Sequence, residues 1–302
     1  MMPTSVSDVL RRALSEAAWA QWTTLGVLGA TPIRESRCID PEALVWLTFT
    51  SDVADTRLVD IARDWLALNK HLVSIHRLRN VFGDDKDALE RLTLALRANV
   101  ERPKARFEIA AKTTVPDPMI PANLSIRLRY LMDAGVRSEV VRYLITQPGR
   151  NTDAQAVADA AMFAKRNVND TLLSLVHAGV VADSWMGNRR VFSVDEERWC
   201  AFIGIRPIDV PDYMPWVKIL RAATAILHWL EADKRTSETP YMRSSRARSL
   251  VMDVRSDLAA SGINVTDATR ALAEAFLVPF DALVSRVADA VAPHPVGEVH
   301  GV

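Results

Sequence analysis

V-A-D-A-A-M-F-A-K-R-N-V-N-D-T-L-L-S-L-V-H-A-G-V-V, Val157–Val181, holds two helical patterns around a short turn. Val157 and Ala158 share one face of a helix predicted over Ala154–Ala161, with Thr152 or Asp153 as its cap. A tight turn at Met162–Phe163 follows. Val168, Leu172 and Leu175 then recur at the spacing of a further helix, Lys165–His177, which stops at Ala178–Gly179. Upstream, Val136–Gln147 predicts an amphipathic helix with Val136, Val140, Val141, Leu144 and Ile145 inward, ended by Pro148–Gly149. Downstream, Val180–Trp185 and Arg189–Val194 predict two short strands around a Met186-Gly187-Asn188 turn. The alternation of Val191 and Ser193 against Phe192 and Val194 suits a half-buried hairpin.

Three helices and a hairpin in this order predict a winged helix-turn-helix over residues 133–204. Val157–Val181 resembles the helix-turn-helix core of winged-helix regulators of the ArsR and MarR type. In those regulators an alanine-bearing second helix leads through a turn into a third helix ending L-x-x-L-x-x-A-G-L/V-V. Leu172, Leu175, Ala178, Gly179 and Val180 occupy that ending here. The turn position often held by glycine in that family is Met162, which costs energy if a positive φ is required. The resemblance implies that the third helix enters the major groove of duplex DNA and that the hairpin is the wing.

The major groove is about 12 Å wide and admits one helix. By spacing, the outward face of the third helix carries Lys165, Arg166, Asn169 and Asp170, with Leu173 at its margin. Lysine and arginine at a helix start reach phosphate or guanine, and asparagine pairs with adenine. Arg189 and Arg190 sit at the wing turn, placed for phosphate or the minor groove, and Arg150 precedes the second helix. The predicted DNA-binding set is therefore Arg150, Lys165, Arg166, Asn169, Arg189 and Arg190. Asp170 on the reading face, and 8 basic against 9 acidic residues over 133–198, favour the alternative of a protein-interaction module.

The rest of the chain reads as helix. With 302 residues and about 150 per domain, two domains are expected, with three small ones possible. Residues 1–113 predict a helical domain: Val6–Trp22, a helix started by Asp40–Pro41, Asp55–Asn69, His71–Phe82 and Asp87–Asn99. Within it, Asp55–Asn69 and the basic His71–Phe82 are the candidate for a second, divergent helix-turn-helix; a plain helical scaffold is the alternative. Pro116, Pro118 and Pro121 mark residues 114–132 as a linker. Residues 205–291 predict a helical C-terminal domain. Its helix after Pro215 is apolar on more than one face, and Ser244 or Ser245 is expected to cap the next. Two more helices, Thr266–Ala275 and Phe280–Val291, are expected on either side of Pro279. Residues 292–302 are expected to be a disordered tail. The run Tyr241–Arg248 offers Arg243, Arg246 and Arg248 as secondary phosphate contacts, because cations at a helix start gain from a nearby anion.

Composition closes off other classes. Lys+Arg and Asp+Glu are both 37, which excludes a histone-like polyanion binder but not a local basic patch. Cys38 and Cys200 make no disulfide framework and point to a reducing compartment. With no signal peptide and no apolar run near 18 residues, a soluble cytoplasmic protein without a membrane partner is expected. The six histidines include no pair at i, i+3 or i+4, and no phosphate-cradling or nucleophile-elbow motif occurs. Neither metal, cofactor nor enzymatic activity is expected. The chain is thus read as mainly α, a central winged helix-turn-helix flanked by helical segments, and a DNA-binding transcriptional regulator. The resemblance to winged-helix regulators implies a homodimer formed through the flanking helices. Trp19–Val27, W-A-Q-W-T-T-L-G-V, and the whole-chain order are similar to actinobacterial winged-helix proteins found beside nucleotidyltransferase-type toxins. That similarity implies an antitoxin-like partner of another protein as the second reading.

Overall fold

The computed structural model describes residues 5–29, 35–83, 87, 89–90, 92–93, 113–147, 149–234, 238–266 and 273–294. The fold is mainly helical with one three-stranded antiparallel sheet among these residues. The helices are α1 (Val6–Thr24), α2 (Pro41–Thr50), α3 (Thr56–Asn69), α4 (Ile75–Phe82), α5 (Leu124–Met132), α6 (Val136–Ile145), α7 (Ala154–Ala161) and α8 (Lys165–His177). After the sheet come α9 (Glu196–Ile203), α10 (Trp216–Asp233), α11 (Pro240–Asp253), α12 (Arg255–Ala260) and α13 (Leu277–Val291). The strands are β1 (Thr152–Asp153), β2 (Ala182–Met186) and β3 (Arg189–Ser193), in the order β1-β3-β2.

Helix starts follow their capping chemistry. Ser5 Oγ accepts from the Asp8 amide while Asp8 accepts from the Ser5 amide, a reciprocal cap for α1. Asp40 accepts from the Ala43 amide at 3.2 Å with Pro41 at the first helical position, as expected for α2. For α11 the cap is Thr239, which accepts from the Met242 amide, followed by Pro240. The helix therefore starts a full turn before the expected Ser244 or Ser245. Pro279 does not separate two helices but lies in the first turn of α13, where its missing N–H would have no partner anyway.

Two hydrophobic cores organise these elements. The first is a helical body that joins both ends of the chain. Leu10, Leu14 and Trp22 of α1, Leu44 of α2 and Trp65 of α3 share it with Ile219 and Leu220 of α10 and Phe280 and Leu283 of α13. The described helices of residues 1–113 and of 205–291 thus share one core. Indole N–H groups tie it together: Trp22 donates to Thr48 Oγ1 at 2.9 Å, and Trp65 donates to the Leu25 carbonyl at 2.7 Å. The second core is a smaller head, built from Val140, Val141, Leu144, Val157, Val168, Leu172, Phe192 and Trp199.

The expected linker over 114–132 is half helix. Pro121 opens a helical turn, and α5 sends Leu124 and Leu128 into the head core and Ile126 into the body core. Proline at a first-turn position starts a helix instead of breaking it. Most of the helix expected at Asp87–Asn99, most of that at Thr266–Ala275, and residues 295–302 of the tail lie outside the described residues. No described helix is long and apolar enough to cross a membrane.

Candidate nucleic-acid interface

The head positions its polar side chains through the α7–turn–α8 unit. Asp153 starts α7 by accepting from the Ala156 amide at 2.9 Å. Met162 then adopts the left-handed conformation, φ 57° and ψ 43°, and its N–H closes on the Ala158 carbonyl. That backbone costs an L side chain about 1–2 kcal/mol. The body offsets the cost. Arg77 Nε donates to the Ala161 carbonyl at 2.9 Å and Asn80 Nδ2 to the Met162 carbonyl at 2.8 Å. His76 stacks on Phe163 with centroids 5.6 Å apart. These contacts dock α4, the basic helix of the second helix-turn-helix weighed for residues 55–82, on the turn of the head, with His76 and Arg79 still exposed.

Helix α8 buries Val168, Thr171, Leu172 and Leu175 and turns Lys165, Arg166, Asn167 and Asp170 to solvent. The observed bounds of α7 and α8 are those expected. Asn169 and Leu173 are half-buried at the margins of the exposed face. Ala164 caps α8 without a side-chain acceptor, so its first N–H groups gain no side-chain partner there.

The hairpin stands beside this face. Trp185 pairs with Arg190 and Met186 with Arg189 across β2 and β3, and Phe192 carries the hairpin into the head core. Lys165, Asn169, Arg189 and Arg190 line one cleft of about 620 Å³, between α8, the start of α7 and the hairpin. Four of the six predicted residues therefore meet. Arg166 is exposed on α8 and Arg150 precedes β1; both lie outside the cleft wall.

The cleft is nearly charge-balanced. Arg190 Nε sits 2.7 Å from Asp183 Oδ2, and Arg189 Nη1 is 3.8 Å from Asp153 Oδ2. Asp159 also lines it. Among the described residues, Lys165, Arg166 and Arg150 have no carboxylate within 4 Å. The secondary arginines are committed elsewhere. Arg243 and Arg246 bind Asp233 at 2.6 and 3.3 Å, Arg246 also binds Glu238 at 2.8 Å, and Arg248 lies over the Phe276 ring. Their pairing on the body is an intramolecular use of the charge that the sequence offered to phosphate.

Sequence reasoning missed two features. The first is a buried ionic cluster where head meets body. Asp40, Glu42 and Glu139 face Arg77, Arg129 and Arg142, all six buried. Arg77 Nη2 donates to Asp40 at 2.6 Å, Arg129 Nη2 to Glu42 at 2.6 Å and to Glu139 at 2.7 Å, and Arg142 Nη2 lies 2.9 Å from Glu139. Burial alone would raise the Glu139 carboxyl, but Arg142, Arg77 and Arg129 outweigh it and hold it far below the carboxylate range. Asp40 is likewise held low against its burial, chiefly by Arg77. Burial pushes the Cys38 thiol beside them up, as befits a packing cysteine. The six residues are spread from Asp40 to Arg142, and apart from Asp40, read as a helix cap, each alone reads as an ordinary surface charge.

The second is the bare hairpin tip. Trp185 is 69% exposed and Met186 58%, although both read as part of a half-buried strand and turn. At the far end of α8, Leu175, Val180, Trp199, Phe202 and Met132 line an apolar hollow of about 270 Å³. Among the described residues no group of three or more His, Cys, Asp or Glu side chains is arranged to hold a metal. Comparison with protein-family models, with curated proteins and with solved structures gives no match to this chain.

Proposed function

We propose that α6–α8 and β1–β3 form a winged helix-turn-helix that binds duplex DNA, and that the chain acts as a transcriptional regulator. One observation carries this reading: the outward face of α8 and the hairpin arginines converge on one open cleft. A helix with its side chains is about 10–12 Å across, the width of the major groove. With α8 in that groove, Lys165 and Arg166 reach phosphate or guanine from its first turn, and Asn169 reaches adenine. Arg189 and Arg190 fall on the neighbouring backbone or minor groove, as wings do. Arg150 adds a backbone contact at the flank. Two such heads in a dimer read half-sites about 34 Å apart, which supplies the charge that one near-neutral head lacks.

The test is fluorescence anisotropy on the duplex upstream of the chain's own coding region, at about 50 and about 200 mM salt. Wild type binds, and weakens with salt. The double change Arg189→Ala/Arg190→Ala makes the salt slope shallower by up to about 2, roughly one for each phosphate no longer neutralised. No binding to this or a random duplex at low salt refutes the reading. A second reading, a partner-binding or antitoxin-like module, is favoured by the pairing of both hairpin arginines to Asp153 and Asp183. It predicts that Lys165, Arg166, Arg189 and Arg190 are dispensable and that binding maps to the helical body.

A further inference from the structure

We infer that Trp185 is an apolar wedge that enters the minor groove of duplex DNA and opens a base step next to the α8 footprint. The inference rests on the DNA reading above. A tryptophan has one of the largest apolar surfaces of any residue and is normally well covered. Here the ring is 69% exposed and Met186 is 58% exposed, and every residue of β2 is exposed. Neither core of the fold uses them. The tip stands clear: Gly187 has φ +61°, and a Cβ built on it would meet nothing within 4 Å.

Directly opposed side chains of an antiparallel pair lie on one face. Trp185 therefore shares its face with Arg190, and Met186 shares the other with Arg189. The Arg190 guanidinium lies 5.8 Å from the Phe192 ring and lines the cleft that holds Lys165 and Asn169. A ligand read by α8 is thus within reach of the tryptophan. Arg190 beside Trp185 is paired with Asp183 on the same face, whereas the Arg189 side chain at the tip is 80% exposed and lies 3.8 Å from Asp153. That pattern matches a polyanion with an apolar slot. It fits a second copy of the chain poorly, since a stable dimer buries about 800 Å² per partner and two side chains cover only a fraction of that. Proteins that enter the minor groove combine arginine with an inserted apolar wedge and kink the duplex.

End-to-end energy transfer across a labelled duplex of about 30 base pairs, cut from the upstream region, reads the kink. Wild type shortens the distance between the dyes. Trp185→Ala abolishes most of that shortening and weakens binding roughly ten-fold, the scale of one aromatic stack. Its salt slope stays at the wild-type value, because no charge is removed. Trp185→Phe retains part of both effects. The side chain is exposed, so the variants keep the wild-type circular dichroism. A wild-type complex with straight DNA, or a Trp185→Ala complex that bends and binds as wild type does, overturns the wedge. Failure of the underlying DNA reading looks different, since wild type then gives no anisotropy change at low salt. If Trp185→Ala turns a dimer of the free protein into a monomer, the tip belongs to a second copy and the wedge is refuted.

Discussion

Replacing Glu139 by glutamine tests how head and body are joined. Glu139 accepts from Arg129 Nη2 at 2.7 Å and from Arg142 Nε at 3.0 Å, and Arg77 Nε lies 3.6 Å away. The cluster holds three carboxylates and three guanidinium groups, so the substitution leaves one positive charge buried without compensation. Such a charge costs about 3–5 kcal/mol. Against a total stability of about 5–15 kcal/mol, that is a large share. For a chain of 302 residues it corresponds to a fall in melting temperature of roughly 5–8 °C. Circular dichroism melts of wild type and variant measure it. The exposed pair Arg206–Asp209, 2.6 Å apart, is the control: Asp209→Asn leaves the melting curve close to that of wild type. If charge balance is the cause, restoring it must help. Adding Arg142→Met to Glu139→Gln returns the cluster to two of each sign and recovers more than half of the loss. A single-variant cost below about 1 kcal/mol, or a double variant no better than the single, refutes the reasoning.

Acid should act through the same residues. Asp40 and Glu139 are both held below their unfolded values, so the unfolded chain binds more protons below about pH 5. Their contribution is present above the unfolded carboxylate range and is lost as pH falls toward the depressed folded values. Urea midpoints measured between about pH 5 and pH 3 therefore fall steeply in wild type and less steeply in Glu139→Gln. At the head's turn, Met162→Val forces a β-branched side chain into φ 57° and costs more than about 2 kcal/mol. Met162→Gly relieves the strain, loses partly buried packing, and stays within about 1 kcal/mol of wild type. Equal losses in the two variants would mean that side-chain packing, not backbone conformation, sets the cost.

The head was legible because its signals are local. Asp153, the Val157/Ala158 pair and the Val168, Leu172, Leu175 spacing lie within one stretch, and α7 and α8 begin and end where that spacing places them. The cleft followed, since Lys165 and Asn169 share a helix face and Arg189 and Arg190 flank a turn. The body was not legible as one unit. Its union depends on α1 lying against α13, some 270 residues away, and periodicity says which face is buried but not against what. The ionic cluster was hidden for a related reason. Arg77 sits on a helix rich in basic residues, and only the docked structure shows that its charge points inward. Met162 lies between these extremes. Its place in the turn flagged a positive φ, but Asn80 and Arg77, which hold that turn, come from another part of the chain.

The cluster also constrains what α8 can do. Desolvating six charges costs several kcal/mol for each ion, and apolar side chains of similar volume would join two surfaces at lower cost. Charges differ from apolar contacts in being directional. Arg77 satisfies Asp40, Glu42 and the Ala161 carbonyl in a single arrangement of α2, α4 and α7. Arg129 in the same way needs Glu42, the Leu72 carbonyl and Glu139 at once. A slide of the head across the body by about one ångström would leave buried guanidinium N–H groups without acceptors, whereas packed aliphatic chains would yield to it. The turn before α8 is held by the same Arg77 that anchors the cluster. The orientation of α8 is therefore set by the body as well as by the head, and a change that loosens the cluster must also loosen the aim of Lys165 and Asn169.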